Sequence, residues 1–251
     1  MSLRPRLAEF QIAVMLLTRL PAGRISGTAP GMAASSWAWP LAGALVGGIA
    51  AMIFAVACAL GLPAEISALL ALAAGILATG GMHEDGLADM ADGCGGGRDR
   101  AQKLEIMRDS RIGSYGVLAL LVSVGLRVAG MAALGAPAVV VPALIALAMA
   151  SRAALPLWLA LLPPARTDGL GHGAARPKAG TVALALILGQ AGWLLLPAGC
   201  WLPVAAAVVF GGAIASLIAL RQLGGQTGDA LGAAQQGAEI FGWLTLTILA
   251  R

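Results

Sequence analysis

Charged residues are scarce in this chain of 251 residues. Only 11% are Asp, Glu, Lys or Arg, whereas 59% are hydrophobic and the mean hydropathy is +0.87. So little charge excludes a soluble globular domain and places the chain in a lipid bilayer. No hydrophilic stretch is long enough to form a separate soluble domain. We therefore expect residues 1–251 to form a single integral membrane domain with catalytic loops on its cytoplasmic side.

Cysteine is also rare, and its distribution excludes two further classes of protein. The three cysteines, Cys58, Cys94 and Cys200, are far apart and belong to different layers of the expected topology. Neither a disulfide framework nor a thiolate metal site is compatible with that spacing.

Long apolar runs predict an all-α, polytopic transmembrane bundle. A helix needs roughly 20 apolar residues to cross about 30 Å of hydrocarbon. Six runs meet this requirement, namely residues 37–60, 66–82, 117–134, 138–162, 181–197 and 203–220. The segment 240–250 is too short to cross at about 1.5 Å per residue, so a short C-terminal helix is expected there. Gly43 and Gly47, four residues apart, predict close packing of the first span.

The N-terminal segment predicts an interfacial amphipathic helix. Phe10, Val14 and Leu17 fall on one face of such a helix. A signal peptide is disfavoured because the apolar run is short and no small-residue cleavage site follows it.

The first, third and fifth connections between the predicted spans contain no Lys or Arg. Thirteen of the sixteen Lys and Arg residues fall in the N-terminal tail, in the second and fourth connections, and at Arg221, where the C-terminal region begins. Cytoplasmic loops retain Lys and Arg, so these segments and the N-terminus are predicted to face the cytoplasm of a bacterial inner membrane. The loops expected to carry the chemistry are about 83–116, 163–180 and 221–239. The pI near 9.5 thus reflects topology, and no nucleic-acid partner is expected.

Carboxylates are concentrated in the second connection. Asp85, Asp89 and Asp92 recur at i, i+4 and i+7, which places them on one face of a helix. A hard cation bridging these oxygens would convert their repulsion into binding, and Mg²⁺ uses one or two carboxylates together with substrate phosphates. We expect Glu84 and these three aspartates to hold Mg²⁺, with the aspartates also catalytic. A solvated polar loop is the alternative.

Cations and glycines follow the acidic run. Arg108, Asp109 and Arg111 precede a span, and Arg111 is a candidate phosphate clamp or else an anchor at the membrane boundary. We therefore expect all three to contact substrate. The glycines of residues 93–97 suit either a phosphate cradle or a flexible turn, although no Walker A motif follows.

Two arginines fall inside predicted spans, where a cation usually faces a cavity. Arg127 and Arg152 should lie at similar depth on neighbouring helices. We expect them to line a polar pocket open to the cytoplasm and to meet substrate anions; bonding to a helix carbonyl or a lipid headgroup is the alternative.

The C-terminal motif 224–233 returns carboxylates to the same side of the membrane. Asp229 is expected to complete the site of the acidic run, and Thr227 is a candidate substrate contact. His83 is either a base or a structural residue. The fourth connection is interpreted as a solvated loop.

Three motifs resemble signatures of the cobalamin synthase family. They are His83-Glu-Asp-Gly-Leu-Ala-Asp-Met-Ala-Asp-Gly93, Glu105-Ile-Met-Arg-Asp-Ser-Arg-Ile-Gly-Ser-Tyr-Gly116 and Gly224-Gly-Gln-Thr-Gly-Asp-Ala-Leu-Gly-Ala233. The resemblance spans nearly the whole chain. It implies transfer of α-ribazole, or its 5′-phosphate, to adenosylcobinamide-GDP with release of GMP, in the last assembly step of cobalamin biosynthesis. The resemblance also implies Mg²⁺ as the cofactor and membrane lipid as a partner.

Other interpretations remain open at this stage. CDP-alcohol phosphotransferases contain the motif Asp-Gly-x-x-Ala-Arg. In this chain Asp85-Gly86 is followed, after two residues, by Asp89-Met90 instead of Ala-Arg. Membrane prenyltransferases expect two similar Asp-rich repeats, and the chain has one. A transporter would place its acids at the midplane of the membrane. Whether the protein forms a homo-oligomer is left open.

Overall fold

A computed structural model describes residues 3–174 and 176–250, and their secondary structure is helical. One isolated bridge between Pro164 and Gln226 is the nearest approach to a strand in these residues. The α-helices are α1 (Leu3–Leu17), α2 (Met32–Ser35), α3 (Trp39–Ala59), α4 (Ala64–Thr79), α5 (Met82–Gly96), α6 (Arg100–Ile106), α7 (Ser114–Leu134), α8 (Pro137–Leu161), α9 (Gly169–Gly173), α10 (Ala179–Ala191), α11 (Trp201–Leu223) and α12 (Gly228–Leu249). Short 3-10 turns cover Ser36–Ala38, Gly192–Leu195 and Ala198–Cys200.

The expected helical membrane bundle is confirmed, although fewer helices qualify as spans than the six predicted. Four described helices are long and apolar enough to cross, namely Met32–Ala59, Ser114–Leu134, Pro137–Leu161 and Ala198–Leu223. The bent pair of α4 and α5 makes a fifth if it counts as one span. The predicted span 181–197 corresponds to a shorter apolar helix, Ala179–Leu195, because Pro197 and a 3-10 turn end it early.

A sharp bend separates α4 from α5. Gly80 and Gly81 both have positive φ angles, +70° and +73°, a conformation that glycine adopts without a steric penalty. The two helices consequently meet at 89°. The acidic helix α5 therefore leaves the axis of α4 and runs beside α7 and α12, with Glu84 at Arg127 in the middle of α7 and Asp92 at the start of α7, rather than continuing the predicted span 66–82.

The C-terminal helix is longer than predicted. Residues 240–249 form the second half of α12, whose 22 residues extend about 33 Å at about 1.5 Å per residue. α12 packs against α5, α7, α8 and α11. Three polar residues in the middle of α12 interrupt its apolar pattern, namely Gln235, Gln236 and Glu239. Hydropathy alone therefore predicts only the second half of the helix.

Helix α8 is the most buried of the four spans and lies at the centre of the bundle. The predicted close packing of Gly43 and Gly47 is confirmed, because a Cβ on either glycine would collide with the α8 backbone near Leu144 or Ala148. The N-terminal helix α1 packs on α2 and α3, with Val14 and Leu17 buried.

We expect Gly43→Ala to lower the thermal stability of the detergent-solubilised protein, because the added methyl group meets the α8 backbone. Gly48→Ala on the same helix is the matched control, since nothing lies within 4 Å of its Cβ position. That control should be neutral or slightly stabilising, because alanine favours a helix by up to about 1 kcal/mol. Equal unfolding midpoints for the two variants would contradict the packing described here.

Candidate functional site

The acidic helix α5 and the start of α12 are in backbone contact. A Cβ on Gly86 would lie 3.0 Å from the Cα of Asp229, and one on Gly232 would lie 3.1 Å from the carbonyl oxygen of His83. Larger side chains at these two glycines would push the helices apart. The close approach brings Asp229 to the side of α5 that carries Asp85 and Asp89.

These three carboxylates influence each other electrostatically. Partial burial, followed by the nearby charges of Asp85, Asp229 and Asp92, raises the pKa of Asp89 from 3.8 to about 7, against the opposing effect of Arg166. Burial also raises the pKa of Asp229, although Arg166 and Thr227 act in the opposite direction. Negative charge is therefore unfavourable here without a cation.

The donor set fits a hard divalent cation that is completed by substrate. Within residues 3–174 and 176–250, no three His, Cys, Asp or Glu side chains stand close enough to enclose a metal ion. Mg²⁺ does not need such a cage, because it is commonly bound by one or two carboxylates and by phosphate oxygens. Asp85 and Asp89, which are half-buried or exposed, are available for this purpose.

Asp92 has a different position from the one expected of a metal ligand or catalytic acid. It is buried, and its two carboxylate oxygens accept hydrogen bonds from the backbone N–H groups of Gly113 (2.7 Å) and Gly116 (2.8 Å). Asp92 thereby caps the N-terminus of α7, where free N–H groups favour an anion. A Cβ at either glycine would collide with this carboxylate, which explains the Gly-Ser-Tyr-Gly sequence.

Glu84 also departs from the predicted metal set. Glu84 immediately precedes Asp85, so its side chain lies about 100° round α5 from that of Asp85. It accepts hydrogen bonds from Arg127 (3.1 Å) and Gln236 (2.9 Å). Its partners lie inside the bundle, so Glu84 belongs to a buried charge network rather than to the aspartate face.

That network contains both intramembrane arginines. Arg127 pairs with Glu84 and, at 3.3 Å, with Glu239, and Arg152 lies 3.4 Å from the same Glu239. The arginine side chains are only 2% and 3% exposed. They line a small cavity of about 50 Å³, but two carboxylates neutralise them. The structure thus pairs Arg127 and Arg152 within the protein, and their contact with substrate anions stays a prediction.

The three charged residues before α7 lie at the surface. Arg108 donates two hydrogen bonds to Asp168, at 2.7 and 2.8 Å, and Arg111 pairs with Asp109 at 2.7 Å. The Arg108 pair joins this loop to the connection 163–180. The Arg111 side chain is 88% exposed, so the structure does not place it against the aspartate face.

The sequence argument missed Arg166, the cation nearest to that face. Its guanidinium donates to Asp229 Oδ2 at 3.3 Å and to the carbonyl oxygen of Leu104 at 3.0 Å. Thr227, expected to contact substrate, instead caps α12 by accepting a hydrogen bond from the N–H of Ala230 at 3.1 Å. No spacing signal in the fourth connection distinguishes Arg166 from its basic neighbours.

Several known proteins are similar to this chain in sequence. A model of the family described as cobalamin-5-phosphate synthase matches residues 9–247. Proteins named adenosylcobinamide-GDP ribazoletransferase are similar along most of the chain. The relative from Bradyrhizobium diazoefficiens is 47% identical and covers 95% of this chain and 93% of its own length. Those from Mesorhizobium japonicum and Xanthobacter autotrophicus are 45% and 48% identical, covering 96% and 88% of this chain, and 93% and 88% of their own lengths. No solved structure matches.

Asp92→Asn should lower the unfolding midpoint of the purified protein in detergent. An amide has one oxygen, so one of the two α7 N–H groups loses its acceptor, at a cost of about 1–3 kcal/mol. Asp85→Asn, an exposed change on the same helix, should leave the midpoint nearly unchanged. A stable Asp92→Asn variant would show that the cap is dispensable.

A pH dependence follows from Asp89. Because its pKa is higher in the folded protein (about 7) than its ordinary value of 3.8, this group stabilises the fold below about pH 4, and the contribution is lost as the pH rises to about 7. Without divalent cations, the wild type should therefore lose more thermal stability between pH 5 and pH 8 than Asp89→Asn does. Glu65→Gln, at the far end of α4, should behave like the wild type. Parallel pH profiles for all three proteins would contradict this prediction.

Proposed function

Because the chain belongs to the cobalamin-5-phosphate synthase family, we propose that Asp85, Asp89 and Asp229 form the place where its two substrates are joined. The protein is a polytopic membrane enzyme with adenosylcobinamide-GDP ribazoletransferase activity, which completes the assembly of cobalamin. The observation that carries the proposal is the close contact of α5 with α12 at Gly86 and Gly232, which gathers three carboxylates from distant parts of the chain.

The reaction is a transfer at phosphorus. The ribose 3′-hydroxyl of α-ribazole, or of its 5′-phosphate, forms a new bond to the cobinamide-side phosphorus of adenosylcobinamide-GDP. The bond from that phosphorus to the bridging oxygen breaks, and GMP leaves with the bridging oxygen. A carboxylate of the set accepts the hydroxyl proton. Such reactions require positioning and charge neutralisation more than covalent catalysis.

Different residues would bind the metal ion, bind the phosphoryl oxygens and cap the helices that border the site. Asp85 and Asp89 would hold Mg²⁺, which when bound neutralises negative charge on the diphosphate. Arg166, paired with Asp229, supplies a guanidinium of the kind that binds phosphoryl oxygens. Asp92 and Thr227 act indirectly, since they cap the helices α7 and α12 that border the site.

The location of the site supports cytoplasmic chemistry. The bend at Gly80 and Gly81 turns α5 along α7, so that Asp92 reaches the start of α7, next to the basic connections 98–111 and 166–178. We place this end of α7, and the N-terminus, on the cytoplasmic side of the bacterial inner membrane, because positively charged loops are retained there. The nucleotide substrate would approach from that side.

A transporter is not favoured. Its substrate path would need charged groups that are free to meet a substrate within the membrane. Arg127 and Arg152 are instead buried and paired with Glu84 and Glu239.

Asp85→Asn and Asp89→Asn should each lower turnover by about 100-fold or more, because they remove charge that the transition state requires. The assay supplies adenosylcobinamide-GDP and α-ribazole to the purified enzyme and measures GMP and the cobamide product by mass spectrometry. Chelation should abolish activity, and Mg²⁺ or Mn²⁺ should restore it. Glu65→Gln is the control for an unrelated carboxylate. Full activity of either aspartate variant, or turnover that persists after chelation, would contradict the assignment of Asp85 and Asp89 as metal ligands.

A further inference from the structure

A second cavity opens beside the aspartate face, and its walls are largely apolar. It has a volume of about 190 Å³ and lies between α1, α3, α5, α8, the α9 region and α12. Leu17, Trp39, Leu155 and Leu231 form much of the wall. The site described above uses the carboxylates on the rim of this cavity but gives its interior no role.

Two residues that line the cavity each carry a buried ring nitrogen that has no hydrogen-bond partner in the described part of the chain. These nitrogens are Nε1 of Trp39 and Nε2 of His83, whose side chains are almost completely buried. Buried indole N–H groups usually find a partner, and an unsatisfied buried polar atom carries a free-energy penalty. Neither nitrogen is open to the cavity itself, so a mainly apolar ligand with polar ring atoms would bond to them after a small shift of the two side chains.

The rim of the cavity includes carboxylates of the proposed active site. Asp85 and Asp229 line the cavity together with the apolar residues. A ligand whose flat, apolar part enters the cavity would therefore present its remaining polar part to these carboxylates. Binding sites of this kind combine apolar walls with a few convergent polar groups.

Size separates the two substrates. A corrin ring that carries a nucleotide is several times larger than the cavity, whereas α-ribazole is a nucleoside with a small, fused-ring, apolar base. A neighbouring cavity shares Gly171, Gly228 and Asp229 with the first and is also lined by Arg166, Asp168 and His172. Its Arg166 offers a cation to a diphosphate. The apolar cavity therefore suits the base of α-ribazole, and the cavity that contains Arg166 suits the diphosphate of adenosylcobinamide-GDP.

We propose that the cavity bounded by Trp39, Leu155 and Leu231 binds the base of α-ribazole and directs its ribose toward Asp85 and Asp229. This assignment rests on the proposed function of the same site. It makes Trp39, Leu155 and Leu231 determinants of which nucleoside the enzyme accepts, while His83 and Trp39 contact polar atoms of the ring.

Leu155→Ala and Leu159→Ala form a matched pair for the test. Both leucines are buried on α8, one helical turn apart, but only Leu155 lines the cavity. Both changes should lower thermal stability. Only Leu155→Ala should raise the KM for α-ribazole, by about 10-fold, because an apolar pocket that loses a few methylene groups loses affinity on this scale. The KM for adenosylcobinamide-GDP should change less than twofold in both variants.

Trp39→Phe tests the unpartnered indole separately, since it keeps an aromatic wall and removes the N–H group. It should also raise the KM for α-ribazole with little change in kcat. An equal KM for α-ribazole in the two leucine variants, or a rise confined to the KM for adenosylcobinamide-GDP, would overturn the assignment while leaving the proposed function intact.

A binding measurement keeps the proposal testable without turnover. Equilibrium dialysis of α-ribazole is performed with full-length Asp89→Asn protein in the presence of adenosylcobinamide-GDP. Adding Leu155→Ala should weaken binding by about 10-fold, whereas adding Leu159→Ala should not. Equal retention of α-ribazole by both double variants, or no retention by the parent, would refute the cavity assignment. Binding as expected with no product from the wild type would refute the proposed function instead.

Discussion

Charge pairing inside the bundle is the constraint on which the rest of the structure depends. Arg127 of α7 pairs with Glu84 of α5 and with Glu239 of α12, and Arg152 of α8 shares Glu239. Removing one partner from a buried pair typically costs about 3–5 kcal/mol, so the four helices are held in the arrangement that satisfies all four charges. Because α5 and α12 belong to this set, the same pairing fixes the aspartate face that the two helices form.

Much of the fold could be predicted from the sequence, because the length and hydropathy of a span are local properties. The helices α3, α7, α8 and α11 correspond to predicted spans. Two features could not be predicted in this way. The bend at Gly80 and Gly81 depends on backbone angles that the apolar run does not reveal. The length of α12 was hidden because Gln235 and Glu239 look unsuitable for a membrane until their partners on α7 and α8 are known.

The sequence indicates which acids share a helical face, but not the contacts that each side chain makes in the folded chain. Helical spacing correctly places Asp85 and Asp89 on one side of α5, but it cannot tell what each side chain will contact. Asp92 shares that spacing and is nevertheless occupied by the N–H groups of α7. Arg166 was overlooked because its partners, Asp229 and Leu104, are more than sixty residues away in the sequence. Long-range contacts therefore decide which acids are available to substrate.

The order of the helices along the chain has a consequence for biosynthesis of the enzyme. α12 follows every other described helix, yet it supplies Asp229 to the aspartate face and Glu239 to both buried arginines. A nascent chain that has inserted α7 and α8 has made only one of the two acidic partners, Glu84, so Arg152 stays uncompensated in the bilayer until the ribosome completes α12. The charge pairing inside the bundle, and with it the aspartate face, is complete only once translation has passed this helix.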